Sequence, residues 1–401
     1  MGTKIVKNES RIIFASQIFA GVLSLLSVTL TAKYLGPEIF GACSVALSLL
    51  IVFMSFADFG GCSWAGRELA SGSISDSEFL HIKKSKGKLM LLPMLTSPLV
   101  YFLLPNDYIW AILLCLYPLL WNNFNFVQQF LIAKRKYHHS AKLIVVDRMC
   151  WLLIIPFSTR NFDKVLSFTI PILSGLAVHA LIGDRYLKSF SKSAEMNEPL
   201  TNKRIFDKSK NFGLISFFSV LSNLDGIIVA SFAGILDSGS YILSQRFRNP
   251  MMLIFNSFSI RIRPIAARRD MKQIQEAFKQ DTSFLSFGLI GNLFFGLIAL
   301  SFHSKIFDSD FENLGIVMLF GALTSTCLGL ALICSTILTS WGLDKQIART
   351  SGVFSSTLLI GVAIGAFIGG SLGASIWVFV DSLTLVVLLI SKIFFASKYL
   401  V

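Results

Sequence analysis

Twelve predominantly apolar stretches run through the 401-residue chain, at about 12–31, 40–60, 88–104, 108–131, 142–159, 165–183, 211–233, 239–260, 283–302, 314–340, 351–370 and 373–395. A bilayer core takes roughly 20 apolar residues per helix, and these stretches meet that length. They predict twelve transmembrane helices. The fifth is interrupted by Asp147-Arg148, and the fourth is crowded with Asn122, Asn123, Asn125, Gln128 and Gln129. Gly and Pro punctuate several runs, which membrane helices tolerate where neighbours re-satisfy the backbone. No soluble domain interrupts the series. The longest connections, 61–87 and 184–210, are polar and of mixed charge, and the largest on the opposite side is about 303–313.

The pattern repeats at an offset of 198 residues: Gly36-x4-Gly41 joins spans 1 and 2, and Gly234-x4-Gly239 joins spans 7 and 8. Two halves with an even number of spans share one orientation, so they are related by a pseudo-two-fold along the membrane normal. The expected division is residues 1–198 (spans 1–6 and a linker) and 199–401 (spans 7–12), with a cavity enclosed between the halves.

Composition agrees with this pattern. The chain is 54% hydrophobic and 15% charged, with a mean hydropathy of +0.67, whereas soluble domains carry roughly 25% charged residues. Net charge is +13, and its placement is more informative than its size. Of 36 Lys and Arg residues, four (Lys33, Arg160, Lys164, Lys305) fall on one side and three (Arg148, Arg246, Arg248) inside spans, leaving 29 on the side of the N-terminus. By the positive-inside rule both ends are cytoplasmic, which for a bacterial chain means the inner membrane. The basic excess is orientation signal and attraction to anionic lipid; a nucleic-acid partner has no other support. The N-terminal run is expected to be an uncleaved first span, being long for a signal-peptide core. The six cysteines show no zinc or disulfide spacing, and no metal or cofactor is expected.

Charges inside spans are costly and mark function by default. Asp225 lies about fourteen residues into the outward-running span 7, and Arg246 about seven into the returning span 8. At 1.5 Å per residue both come out roughly 10 Å below the outer boundary. They are placed to meet, either as a neutralised pair pinning two helices or as a cation for an anionic ligand tuned by the aspartate. Arg248 is about 200° further round the helix, so Arg246 and Arg248 do not face one lumen together. Gln245, Arg248, Asn249 and Asn256 share one broad face, which favours Arg248, and Pro250 loosens the helix there. Arg148 is a third candidate cation beside Asp147. Asn122, Asn123 and Gln128 fit a cavity lining. Asp58, closing span 2, and Asp381, within span 12, are candidate coupling-ion sites, with helix-packing hydrogen bonds as the competing role. His179, alone in span 6, reads as packing. Asp308-Ser309-Asp310 imitates a sugar-nucleotide motif on the wrong side of the membrane. The chain carries no P-loop, S-x-x-K or H-E-x-x-H motif, so an enzyme is not expected.

The run Leu35-Gly36-Pro37-Glu38-Ile39-Phe40-Gly41, then Ala57-Asp58-Phe59-Gly60 and Arg67-Glu68-Leu69-Ala70, resembles the polysaccharide transporter family, which includes Wzx-type O-antigen flippases. In the second half, Asn223-Leu224-Asp225-Gly226-Ile227-Ile228, Gly239-Ser240-Tyr241 and Ser244-Gln245-Arg246, ending near Pro250, resemble the family's matching stretch. The resemblance implies the MATE-like fold of the MOP superfamily, with two six-helix lobes. It also implies a polyprenyl-pyrophosphate-linked repeat unit as substrate, moved from the inner to the outer leaflet. Arg246, with Asp225 beside it, is the residue carried over from that family. A polysaccharide polymerase and a chain-length regulator are the partners implied.

Such a cargo needs cations for its phosphates and amides or aromatics for its sugars, because an unpaired charge in hydrocarbon costs many kcal/mol. Arg148, Arg246 and Arg248 supply the first; Trp121 and the amides of span 4 supply the second. The alternative is a MATE-type, cation-coupled multidrug exporter, for which a net acidic cavity is expected. A polymerase or sugar transferase is disfavoured by the absence of a long outer loop.

Overall fold

The structure, a computed structural model, describes residues 2–96, 113–190, 202–266, 271–306, 311 and 313–400. The outer part of span 3, the start of span 4, the linker at 191–201 and Asp308-Ser309-Asp310 lie outside the described residues. Every described element is helical: α1 Gly2–Leu35, α2 Pro37–Asp58, α3 Gly61–Ser71, α4 Asp76–Leu89, α5 Leu91–Thr96, α6 Tyr117–Ala133, α7 Tyr137–Asn161, α8 Lys164–Phe190, α9 Asn202–Leu221, α10 Asp225–Ala233, α11 Ile235–Ala266, α12 Met271–Ile306, α13 Leu314–Ser340 and α14 Asp344–Leu400. The last is two helices, 344–368 and 371–400, joined at Gly369 and Gly370, where Gly370 has φ 58°.

Among the described residues, six helical stretches are both long and apolar enough to cross a membrane, one of them the 53-residue α14 stretch that covers two expected spans. Of the rest, spans 3 and 4 lie partly outside the described residues, and spans 5, 7 and 8 are interrupted. Asp147-Arg148 sits in α7, Arg246 and Arg248 sit in the eighth span within α11, and the seventh span is broken by a 3-10 turn at Ser222–Leu224. Lipid-facing surfaces are inside-out relative to a soluble protein. Phe287, Ile290, Phe294 and Leu297 form an exposed apolar stripe at helical spacing along α12. This is a multi-pass membrane protein.

The chain divides into two compact units, residues 1–35 with 42–224, and residues 36–41 with 225–401. In the first, α1 packs on α7, α7 on α8, and α6 on α3 and α8. Trp64, Phe79, Phe126, Phe130, Leu143 and Leu187 form its buried cluster. The polar connection expected at 61–87 folds into α3 and α4. Ser75 starts α4 with a capping box: its hydroxyl accepts from the Glu78 N–H while Glu78 accepts from the Ser75 N–H. Asp76, in the same turn, pairs with Lys134.

In the second unit, α13 is central and packs on α11, α12 and α14. Small residues let backbones approach, the usual basis of helix association in lipid. A Cβ on Gly365 would lie 2.5 Å from the Gly373 carbonyl oxygen, and one on Gly361 would overlap the Trp377 indole. The two halves of α14 therefore form a tight hairpin.

The repeated glycine segments pack on each other in this unit. Gly36 and Gly234 both hold positive φ, 78° and 92°, the left-handed turn that glycine adopts without strain. A Cβ on Gly41 would lie 2.7 Å from the Ile235 carbonyl oxygen, and one on Gly239 would overlap the Pro37 carbonyl oxygen. Moving Pro37 and Gly41 along the chain by the repeat offset gives Ile235 and Gly239, so the contact is reciprocal, the mark of a local two-fold.

Candidate functional site

Asp225 is the most completely engaged of the intramembrane charges. It opens α10 directly after the 3-10 turn, where a carboxylate complements the positive helix end. It is 1% exposed. One oxygen accepts from the Gly226 N–H at 2.7 Å. The other accepts from the Tyr241 hydroxyl at 2.8 Å and from the Gln245 amide. Tyr241, Gln245 and Arg248 stand at i, i+4 and i+7 on α11, one face of the helix. Arg248 acts on Asp225 electrostatically, and no ion pair of Arg248 is present among the described residues. Arg246, on another face of α11, is half-buried and has interactions of its own. Gln245 is legible in the sequence as part of the polar face. Tyr241 is legible only as part of the resembling motif, since a tyrosine in an apolar span carries no polar signal by itself.

In the first unit the expected polar residues separate into distinct networks. Arg148 Nε lies 3.4 Å from Asp147 of its own helix, and its guanidinium stands 5.3 Å from the centre of the Trp151 ring. Asn123 donates to Asp184 at 3.2 Å, a carboxylate also held by Lys83 at 2.7 Å. Gln128 joins the Ser140 hydroxyl and lies 3.4 Å from His179 Nε2, all three buried. Asn122 is buried and faces a cavity instead.

That cavity, about 70 Å³, is bounded by α2, α3, α6 and α9 and includes Asp58 in its wall. Phe59 and Gly60, both with positive φ, turn the chain after α2, so Asp58 accepts from the Cys62 N–H at 3.0 Å at the start of α3. Lys86 reaches in from α4 and donates to the Asp58 carbonyl oxygen. Its side chain passes through the space that Gly61 leaves: a Cβ there would overlap Lys86 Cε. Burial lowers the Lys86 pKa below the ordinary lysine value, and the negative charge of Asp58 works against that. Lys86 is the residue that sequence reasoning missed, one of three lysines in a connection read as polar and of mixed charge.

Asp381 lies in the second unit, on the 371–400 helix of α14. It accepts from the Thr357 hydroxyl at 2.8 Å, bonding the two arms of the hairpin, while its second oxygen is buried without a hydrogen-bond partner. Among the described residues no cluster of three metal-binding side chains is present.

No protein-family model matches this sequence, and no curated protein matches it. Solved structures do match its fold. The MATE multidrug transporter DinF-BH aligns with a TM-score of 0.73 at 14% identity, over 98% of this chain and 95% of that one. A MOP superfamily transporter from Pyrococcus furiosus aligns at 0.70 and 12% identity, over 98% and 96%. The Vibrio cholerae MATE transporter VcmN in its bent form aligns at 0.61 and 16%, over 98% and 99%. The fold is therefore the all-α, MATE-like fold of these structures.

Proposed function

We propose that this chain is a flippase, which carries a polyprenyl-pyrophosphate-linked saccharide from the cytoplasmic to the outer leaflet of the inner membrane by alternating access. The observation that carries this reading is the state of Arg248. It stands beside an aspartate whose carboxylate takes its hydrogen bonds from neutral donors, Tyr241, Gln245 and the Gly226 N–H. Arg248 lies within electrostatic reach of that carboxylate without an ion pair to it, which leaves its planar donors for a phosphate. Arg246 and Arg148 are further cations for the same cargo. Asn122, Asn123 and Gln128 are the amides proposed for its sugars. The +13 net charge and the placement of basic residues fit cytoplasmic termini. A polysaccharide polymerase and a chain-length regulator are the protein partners such a cargo calls for.

The energetics are consistent. An anionic headgroup leaving an electrically negative interior gains about 2.3 kcal/mol per charge per 100 mV. The protein mainly supplies a path and a gate, and Asp381 is the residue proposed to take the coupling ion where one is used.

Export of cationic compounds is the second reading, and one observation favours it: similar structures are described as MATE multidrug transporters. The fold accommodates a change of cargo, however. The P. furiosus protein is described as having a binding pocket of reversed polarity that suggests a different function. Surface polysaccharide in cells carrying Arg248→Ala, Arg246→Ala or both, with membrane abundance measured alongside, tests the proposal. Loss of polysaccharide at equal abundance is expected; normal export in the double variant would remove the anion-binding role.

A further inference from the structure

The cavity of the first unit has a composition that the cationic face of α11 does not explain. Its polar wall holds Ser55, Asp58, Asn122 and Asn125, and its apolar wall holds Met54, Met90 and Trp121. Trp121 is itself fixed in a stack, with Tyr117 at 5.8 Å and Phe124 at 5.3 Å between ring centres. Asp58 alone would attract a cation. That place is occupied, because the Lys86 ammonium, on a lysine 5% exposed, already hydrogen-bonds the Asp58 backbone. A second cation would meet a tethered one, and an anion would meet the carboxylate. The cavity therefore suits a neutral group carrying both a donor and an acceptor.

Its size narrows the choice. A volume of about 70 Å³ is less than half of the roughly 150 Å³ cavity that takes a benzene ring, so it suits one substituent of a sugar rather than the ring. We infer that this cavity is a subsite for the acetamido group of an N-acetylated sugar, a subsite that rests on the reading of a saccharide cargo. The N–H of the acetamido group donates to the Asp58 carboxylate, and its carbonyl accepts from an Asn122 or Asn125 amide. The methyl group packs on Met54 and Met90, and the edge of the stacked Trp121 ring borders the sugar. Lys86 acts as a positioning residue: it balances the charge of Asp58 and so keeps the subsite neutral.

The test is ligand-observed saturation-transfer NMR and titration on the full-length protein in nanodiscs, with N-acetylglucosamine, glucosamine and glucose as probes. N-acetylglucosamine is expected to bind about tenfold or more tightly than the other two, since a site built around donor–acceptor pairs rejects analogues that lack them. Saturation should be strongest at its acetyl methyl. Asn122→Ala and the milder Asn125→Leu, each checked for unchanged thermal midpoint, should abolish the preference, and Lys86→Met should replace it with binding of the cationic glucosamine. Equal binding of all three probes, or a preference that survives both asparagine changes, would overturn the subsite. Paired with a proteoliposome flipping assay on the same preparation, the outcomes separate: acetamido binding without lipid-linked transport refutes the flippase reading alone, and transport without the preference refutes the subsite alone.

Discussion

Replacing Tyr241 with Phe removes one oxygen and leaves the ring, so the change isolates the donor to Asp225. The acceptor is 1% exposed and has no water to turn to. It keeps the Gly226 N–H at 2.7 Å and the Gln245 amide but loses the 2.8 Å bond from the hydroxyl. A hydrogen bond to a charged group contributes about 1.5–3 kcal/mol, so a loss of about 2 kcal/mol is expected. For a chain of this length that lowers the midpoint by about 2–4 °C, since the shift per kcal/mol falls as size grows. The assay is thermal unfolding in nanodiscs with a thiol-reactive dye, which reports exposure of the buried Cys327 and Cys334 in the same unit. Asp225→Asn should also destabilise, and the double variant should lose less than the sum, with a coupling of about 1 kcal/mol as expected for groups in one network. An unchanged midpoint for Tyr241→Phe, or strictly additive losses, would show that Asp225 is not held as described. Its role in presenting Arg248 would fall with it.

Gly239→Val should be far more damaging than Gly36→Ala, because the added carbons would overlap the Pro37 backbone while nothing lies within 4 Å of a Cβ on Gly36; abundance of folded protein in membranes compares them. Lys86 has a pKa below the ordinary lysine value of 10.5. Between its folded and unfolded values the unfolded chain binds the extra proton, so stability should rise with pH across that interval. A thermal midpoint that climbs toward pH 10 in the parent but not in Lys86→Met meets this expectation, and parallel curves would refute it. Reporter fusions at Lys136 and Lys203 should read cytoplasmic and one near Asp308 external; an external signal at Lys203 would break the six-plus-six arrangement.

The fold was legible because lipid imposes a length and composition on each helix that a single sequence displays. The repeat was legible for the same reason: Gly36-x4-Gly41 and Gly234-x4-Gly239 are backbone requirements, and the reciprocal contact of Pro37 and Ile235 with the two inner glycines is their cause. The connection at 61–87 was less transparent. Its mixed charge read only as a polar connection, although the Ser75-x-x-Glu78 capping box and the spacing of Trp64, Leu69, Phe79 and Ile82 fit two packed helices. The site was legible as a set of residues and not as an arrangement. Asn122, Asn123 and Gln128 lie on one polar helix, yet Asn122 faces a cavity, Asn123 joins Asp184 and Lys83, and Gln128 joins Ser140 and His179, because the partners are brought in by other helices. Lys86 was invisible for the converse reason: only the missing side chain of Gly61 lets a lysine reach the Asp58 backbone.

Proteoliposomes holding a fluorescent polyprenyl-pyrophosphate-linked saccharide, quenched from outside with a membrane-impermeant reductant, measure translocation itself. The account predicts protein-dependent flipping that an imposed potential, negative on the donor side, accelerates without a proton or sodium gradient, and that Arg248→Ala abolishes. No flipping above protein-free liposomes, together with movement of an organic cation by the same preparation, would contradict it.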